Sequence, residues 1–166
     1  MKIIQNLVLL VLGIVLLAGV TVNQSYGQEK ESIVKFVSTY IDDFNSPNWA
    51  ENVKNKYHWN DEGIKEQKLF RESFANFNIK VKHLIVDGEQ VIMWGEMSAT
   101  YVKEYPRGEF VGIKSQNKPV TWNEIWYFTV KNGAFGDEWD WAVDGVPRMK
   151  QMGIKAIQKA KKYHSY

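Results

Sequence analysis

PVTWNEIWYFTVKNGAFGDEWDWAVDG, residues 119–145, carries two strand-like runs on either side of Asn132-Gly133. Asn-Gly is a strong signal for a tight hairpin, because both central residues of its preferred turn need positive φ. The spacing therefore predicts strands over Pro119–Val130 and Ala134–Val143. In the first, Trp122, Glu124, Trp126 and Phe128 share one face, while Thr121, Asn123, Ile125, Tyr127 and Thr129 share the other. The second, with the residue that follows it, holds four carboxylates, Asp137, Glu138, Asp140 and Asp144, beside Trp139 and Trp141. Trp139 and Asp144 lie five positions apart, so a regular strand would turn them to opposite faces. With Trp139 and Trp141 outward, Glu138 and Asp140 would be charged groups on an apolar face, which is costly. We therefore expect a β-bulge between Trp139 and Asp144, with Asp137 and Asp140 toward water and Asp144 at the inner end.

Upstream, Asp87-Gly88 marks another hairpin, joining a strand through Ile79, Val81 and Leu84–Val86 to a return strand over Val91–Tyr101. Met93, Gly95, Met97, Ala99 and Tyr101 share one face there, and we place Met97 and Tyr101 with Trp122, Glu124 and Trp126 on the concave side. The small Gly95 and Ala99 should leave room for a pocket beside the aromatics. A long loop, Val102–Lys118, separates these strands from the closing hairpin.

Before the strands, Ile33, Val34, Val37, Tyr40, Ile41 and Phe44 fall at helical spacing, and Ser46-Pro47-Asn48 ends that helix. A second helix is expected near Trp49. A third is expected from Asp61, its N-cap, with Ile64, Phe70, Phe74 and Phe77 as its buried stripe. Val146–Tyr163 reads as a closing helix with Pro147 in its first turn. Helices, then an antiparallel meander, then one more helix make an α+β architecture: a cone-shaped curved sheet wrapped by N-terminal helices.

The chain has 166 residues, 21 Lys and Arg against 19 Asp and Glu, and no cysteine, so disulfides and thiolate metal sites are excluded. Near-balanced charge gives no field directed at nucleic acid. Lys2, the apolar run Leu7–Val22 and Ser25-Tyr26-Gly27 read as a signal peptide over residues 1–27, leaving a single domain over 28–166. That run is short for a spanning helix of about 20 residues. The expectation is an extracytoplasmic, periplasmic or secreted protein, with no membrane contact once the signal is removed.

Gly108-Glu109-Phe110-Val111-Gly112-Ile113, Pro119-Val120-Thr121-Trp122, Asn132-Gly133, Glu138-Trp139 with Asp144, and Gln151-Met152-Gly153 follow one another in the order and spacing of SnoaL-like polyketide cyclases. The chain resembles that family, of the nuclear transport factor 2-like superfamily, over about residues 35–155. His58, Gly63 and Asp87-Gly88-Glu89 extend the likeness upstream. The chain departs from the family at Phe74-Ala75-Asn76, where Phe-Pro-Asp is common, at Tyr101, where a histidine often stands, and in an insertion over Val102–Arg107. The resemblance implies a general acid/base aspartate, working without metal or cofactor, at the position of Asp144.

Asp144 thus reads as a proton-transfer residue or, in Asp144-Gly145-Val146-Pro147, as a turn and helix cap. Glu124, between two tryptophans, must be hydrogen-bonded or have a raised pKa, in a structural or a functional role. Tyr101, Trp122, Glu124, Trp126, Trp139, His58 and Met97 are the expected pocket. No His, Asp and Glu grouping has metal-ligand spacing, and no phosphate loop follows a strand. The functions that fit are binding of a small apolar or aromatic molecule with cofactor-free acid/base chemistry, binding without catalysis, or a structural domain whose pocket is filled. Trp94, Ile125 and Tyr127 make the other sheet face apolar too, so a homodimer is expected.

Overall fold

A computed structural model describes residues 27–153. The expected signal segment, apart from Gly27, lies outside the described residues; the expected closing helix Val146–Tyr163 is described only as far as Gly153, and there it ends at Gln151, with Met152 as its C-cap and Gly153 at φ 80°. Among those described, no helix is long and apolar enough to cross a membrane.

Helix α1 runs over residues 27–45, followed by α2 (Trp49–Tyr57) and α3 (Asp61–Ser73). The apolar stripe of α1 is buried at Ile33, Val37, Tyr40, Ile41 and Phe44, while Val34, expected with them, is exposed. Two side chains lock its end. Asn45 donates to the Ile79 carbonyl at 2.8 Å and accepts from the Ile79 N–H at 2.9 Å, tying α1 to the sheet. Arg71 Nη2 donates to the Phe44 carbonyl at 2.7 Å while its guanidinium lies over Phe44, Trp49 and Phe77. A cation at a helix C-terminus also meets the negative end of the dipole.

The N-cap of α3 is Asn60 rather than Asp61, its side chain accepting from the Gly63 N–H at 2.7 Å. Helix α3 also stops sooner than its apolar stripe predicts. Phe74 and Phe77 belong to strand β1 (Phe74–Asp87), where Phe74 is fully buried in the aromatic core. Periodicity carries over because a strand entering directly from a helix keeps burying aromatics on the same side.

Strands β1, β2 (Gln90–Tyr101), β3 (Lys118–Lys131) and β4 (Ala134–Val143) form one antiparallel sheet in sequence order. Register shifts at Ala75/Asn78 and Val81/His83 bend β1 around the helices, as bulges do. Gly88 turns β1 into β2, and Asn132 and Gly133, with φ of 52° and 73°, turn β3 into β4. A short 3-10 helix, Gly108–Phe110, sits in the loop before β3, and α4 (Gly145–Gln151) closes the described chain. The architecture is the expected α+β one, a curved antiparallel sheet with its concave face under the helices.

Candidate functional site

The concave face of β3 is the one the alternation predicts. Trp122 and Phe128 are buried, and Glu124 and Trp126 half-buried between them and the helices. Residues two apart on one strand face are near neighbours, so the two indoles close on the carboxylate from either side. Trp122 Nε1 donates to Glu124 Oε1 at 2.6 Å, and Trp126 Nε1 donates to Oε2 at 2.8 Å. Both carboxylate oxygens thus accept from neutral indole donors.

Strand β4 completes the wall, and here the expectation needs correction. The β3–β4 pairing is unbroken from Glu124↔Val143 to Phe128↔Trp139, so no bulge lies between Trp139 and Asp144. The irregularity lies on the other side of Trp139, where residues 136–138 face the single residue Thr129. Trp139, Trp141 and Val143 therefore turn inward, with Trp139 stacked on Phe128 at 5.1 Å. Glu138, Asp140, Ala142 and Asp144 turn outward. The cost of inward charge is avoided by choosing the opposite parity, not by inserting a bulge.

Between this wall and the helices lies a cavity of about 570 Å³. Its lining comes from α1 (Tyr40, Phe44), the α2–α3 junction (Trp59), α3 (Glu66, Gln67, Phe70), β1 (Phe77, Ile79), the long loop (Tyr105, Phe110), β3, β4 and Arg148 of α4. Most of these side chains are aromatic. The charged groups are Glu66, whose Oε2 is 2.7 Å from Arg107 Nη1, Glu124, and Arg148. Trp139 and Trp141 form the open rim, Trp141 being 61% exposed.

Of the expected pocket residues, Trp122, Glu124, Trp126 and Trp139 do line this cavity, and Tyr101, Met97 and His58 do not. Met97 is fully buried on the concave side, and its thioether lies over Gly95, filling the space that glycine was expected to leave open. Tyr101 is buried against Phe74, and its hydroxyl donates to the Ile113 carbonyl at 2.6 Å, clamping the long loop. Burial pushes its phenol pKa up, which fits a hydroxyl held as a structural donor. His58 caps α2 in the left-handed conformation, φ 57°, with its side chain exposed, while its neighbour Trp59 takes the place in the wall.

Asp144 stands apart from the cavity. It is exposed on the outer face, in a shallow groove with Trp94, Asn123, Ile125, Ala142 and Val143. Its backbone N–H donates to the Asn123 carbonyl at 2.9 Å, and although it occupies the N-cap position of α4 its side chain makes no capping bond. Sequence reading missed Trp59, Phe70, Trp141 and Arg148. The parity of Trp141 with Trp139 was the available signal for one of them; the Pro147-Arg148 step in a polar helix start gave none.

A sequence model of SnoaL-like polyketide cyclases matches residues 35–152. No curated protein matches by sequence. Among solved structures, a protein assigned as a SnoaL-like polyketide cyclase from Jannaschia sp. CCS1 is 14% identical, covering 74% of this chain and 92% of its own, with a TM-score of 0.59. AclR from Streptomyces galilaeus, assigned as a hydroxylase, is 15% identical over 77% of this chain and 97% of its own, with a TM-score of 0.57. TerC, co-crystallised with polyporic acid, is 11% identical over 74% of this chain and 98% of its own, with a TM-score of 0.54. At such identities the likeness is one of fold, and it agrees with the helix-wrapped curved sheet built up above. The chain belongs to the SnoaL-like polyketide cyclase family, with the nuclear transport factor 2-like fold.

Proposed function

We propose that the cavity binds a small, apolar, ring-bearing molecule, and that Glu124 is the group that moves a proton on it. The chemistry is cofactor-free acid/base work of the cyclase, isomerase or hydratase type. The observation that carries this reading is Glu124 itself, a carboxylate set in an aromatic wall with Trp122 and Trp126 bonded to its two oxygens. Those bonds fix its direction and leave it set as a base and hydrogen-bond acceptor. Each oxygen has a second lone pair for a ligand proton. The aromatic lining supplies apolar area and stacking partners for a ring, and a relative of the same fold is crystallised with an organic acid, polyporic acid.

The family's aspartate role falls by sequence position on Asp144, but Glu124 is the better candidate here because Asp144 does not line the cavity. The second reading is a binding module that holds its ligand without turnover. What favours it is the apolar run Leu7–Val22 at the N-terminus: an exported chain carries a ligand outside the cytoplasm, away from biosynthetic substrates. We propose export with cleavage near Gly27, which the mass of the mature protein checks.

Titration with methyl 2-naphthoate, followed by tryptophan fluorescence, tests the cavity. Saturable quenching is expected, because Trp122, Trp126, Trp139 and Trp141 line it, and Trp141→Ala should weaken the binding several-fold. A linear, non-saturating response would contradict ligand binding and favour a pocket that serves only the fold.

A further inference from the structure

Tyr40 brings a hydroxyl into the buried stripe of α1, which is otherwise Ile33, Val37, Ile41 and Phe44. It is only 4% exposed, and its ring borders the same cavity as Glu124. That ring stacks on Phe44 at 5.8 Å and meets Tyr57 and Phe135 edge to face at 4.9 and 4.8 Å. A phenylalanine would make all three contacts, so packing alone does not account for the oxygen. Among the described residues this hydroxyl has no hydrogen-bond partner, and it is not walled off as Arg71 Nε is. The neighbouring donors are already used: Tyr57 donates to Asp43 Oδ2 at 2.9 Å, and Trp122 and Trp126 donate to Glu124.

A buried phenol without an acceptor costs free energy unless something in the space beside it supplies one. Burial, and after it the neighbouring Tyr57, push the Tyr40 pKa up, so the group stays neutral and keeps its proton to donate. The acceptor that suits a neutral donor among aromatic walls is an uncharged oxygen, since a charged one would lose its hydration there. A carbonyl is an uncharged acceptor that also makes a neighbouring C–H acidic enough for a carboxylate base to act on. Resting on the reading of Glu124 as that base, we propose that Tyr40 is a binding subsite for a carbonyl oxygen and that the natural ligand is a ring-bearing ketone. Tyr40 stands on the helix side of the cavity and Glu124 on the sheet side, so a ligand held between them is oriented by its oxygen. Tyr40 is then a specificity residue, and its proton stays on it.

The probes are 2-acetonaphthone and 2-isopropenylnaphthalene, a ketone and the alkene of the same shape, compared by isothermal titration calorimetry on the full mature chain. In Tyr40→Phe the ratio of ketone to alkene affinity should fall by about three- to tenfold, the worth of one hydrogen bond, with the alkene's own affinity unchanged. The melting temperature of Tyr40→Phe should hold or rise, because the fold loses an unmet hydroxyl and no contact. Both probes are read by binding alone, so the outcome does not depend on whether Glu124 moves a proton. A ratio that the substitution leaves unchanged would overturn the carbonyl subsite and leave the cavity reading standing. So would a melting temperature several degrees lower, since the hydroxyl would then serve the fold. If neither probe binds, the cavity reading itself fails and this inference falls with it.

Discussion

Glu124 and Asp144 are both carboxylates near the end of the β3–β4 hairpin, and what separates them is one step of strand parity. Glu124 could be read in the sequence because Trp122 and Trp126 flank it at the spacing of one strand face. Its partners could not, since nothing local distinguishes an indole N–H from a tyrosine or backbone donor. Asp144 illustrates the converse: the motif that marks it is real, but its side depends on the register of the whole β4 strand. A further residue of this kind is Asp43, which accepts from Lys56 at 2.8 Å and from Tyr57 at 2.9 Å. Burial alone would raise its pKa, but the bonds from Lys56 and Tyr57 outweigh it and hold the carboxyl below its ordinary value of 3.8. A depressed carboxylate stabilises the fold above its unfolded pKa and loses that contribution as pH falls. Asp43→Asn should therefore cost about 1 kcal/mol near neutral pH. The gap from the unmodified protein should close as pH drops through and below about 4, the ordinary carboxylate value. Urea denaturation at several pH values measures it.

At the scale of elements, local signals placed the strands and turns well, because Asn132-Gly133 and Asp87-Gly88 are punctuation with a steric cause. Boundaries were harder where two periods meet. At Ser73–Phe74 the aromatic stripe runs on through a change from helix to strand, so spacing alone extends the helix too far. The bulge in β4 was expected on the wrong side of Trp139, since parity can say that an irregularity is needed only if the facing of the tryptophans is already known. The true irregularity, at residues 136–138, brings Gly136 against the Thr129 side chain, so close that an added Cβ would collide with it. Gly136→Ala is expected to cost about 1–3 kcal/mol by overpacking, and to weaken ligand quenching by shifting Trp139. Thr129→Ala in the same chain should recover part of both. Thermal melts of the single and double variants, analysed as a cycle, check the coupling.

For the molecule as a whole, the order of helices and strands and the concave aromatic face were legible, because an α+β layer fold needs only the change of period and the apolar sides. Which concave residues would be buried as core and which would border open space was not. Met97 over Gly95 shows why: long flexible side chains reach into gaps that sequence spacing leaves empty. The outer face carries Ile85 (60% exposed), Ile92, Trp94 and Ile125 (50% exposed). The pairings Ile85↔Ile92 and Trp94↔Ile125 set them side by side across three strands. We propose that this face is covered by a second copy of the chain. A dimer is then expected by light scattering at micromolar concentration, and Ile125→Lys should shift it to a monomer without loss of helix or strand signal. A monomeric unmodified protein would contradict the proposal.

The assignment of proton transfer to Glu124 is tested most directly by exchange of a carbon acid. The measurement is the rate at which deuterium from the solvent enters the position between ring and carbonyl of 2-tetralone, followed by NMR with the unmodified protein, Glu124→Gln and Asp144→Asn. Catalysed exchange is expected in the unmodified protein, a fall of about 10²–10⁴-fold in Glu124→Gln, and no change in Asp144→Asn. Exchange lost in Asp144→Asn and retained in Glu124→Gln would contradict the assignment, and saturable binding with no exchange at all would leave the chain a binding module.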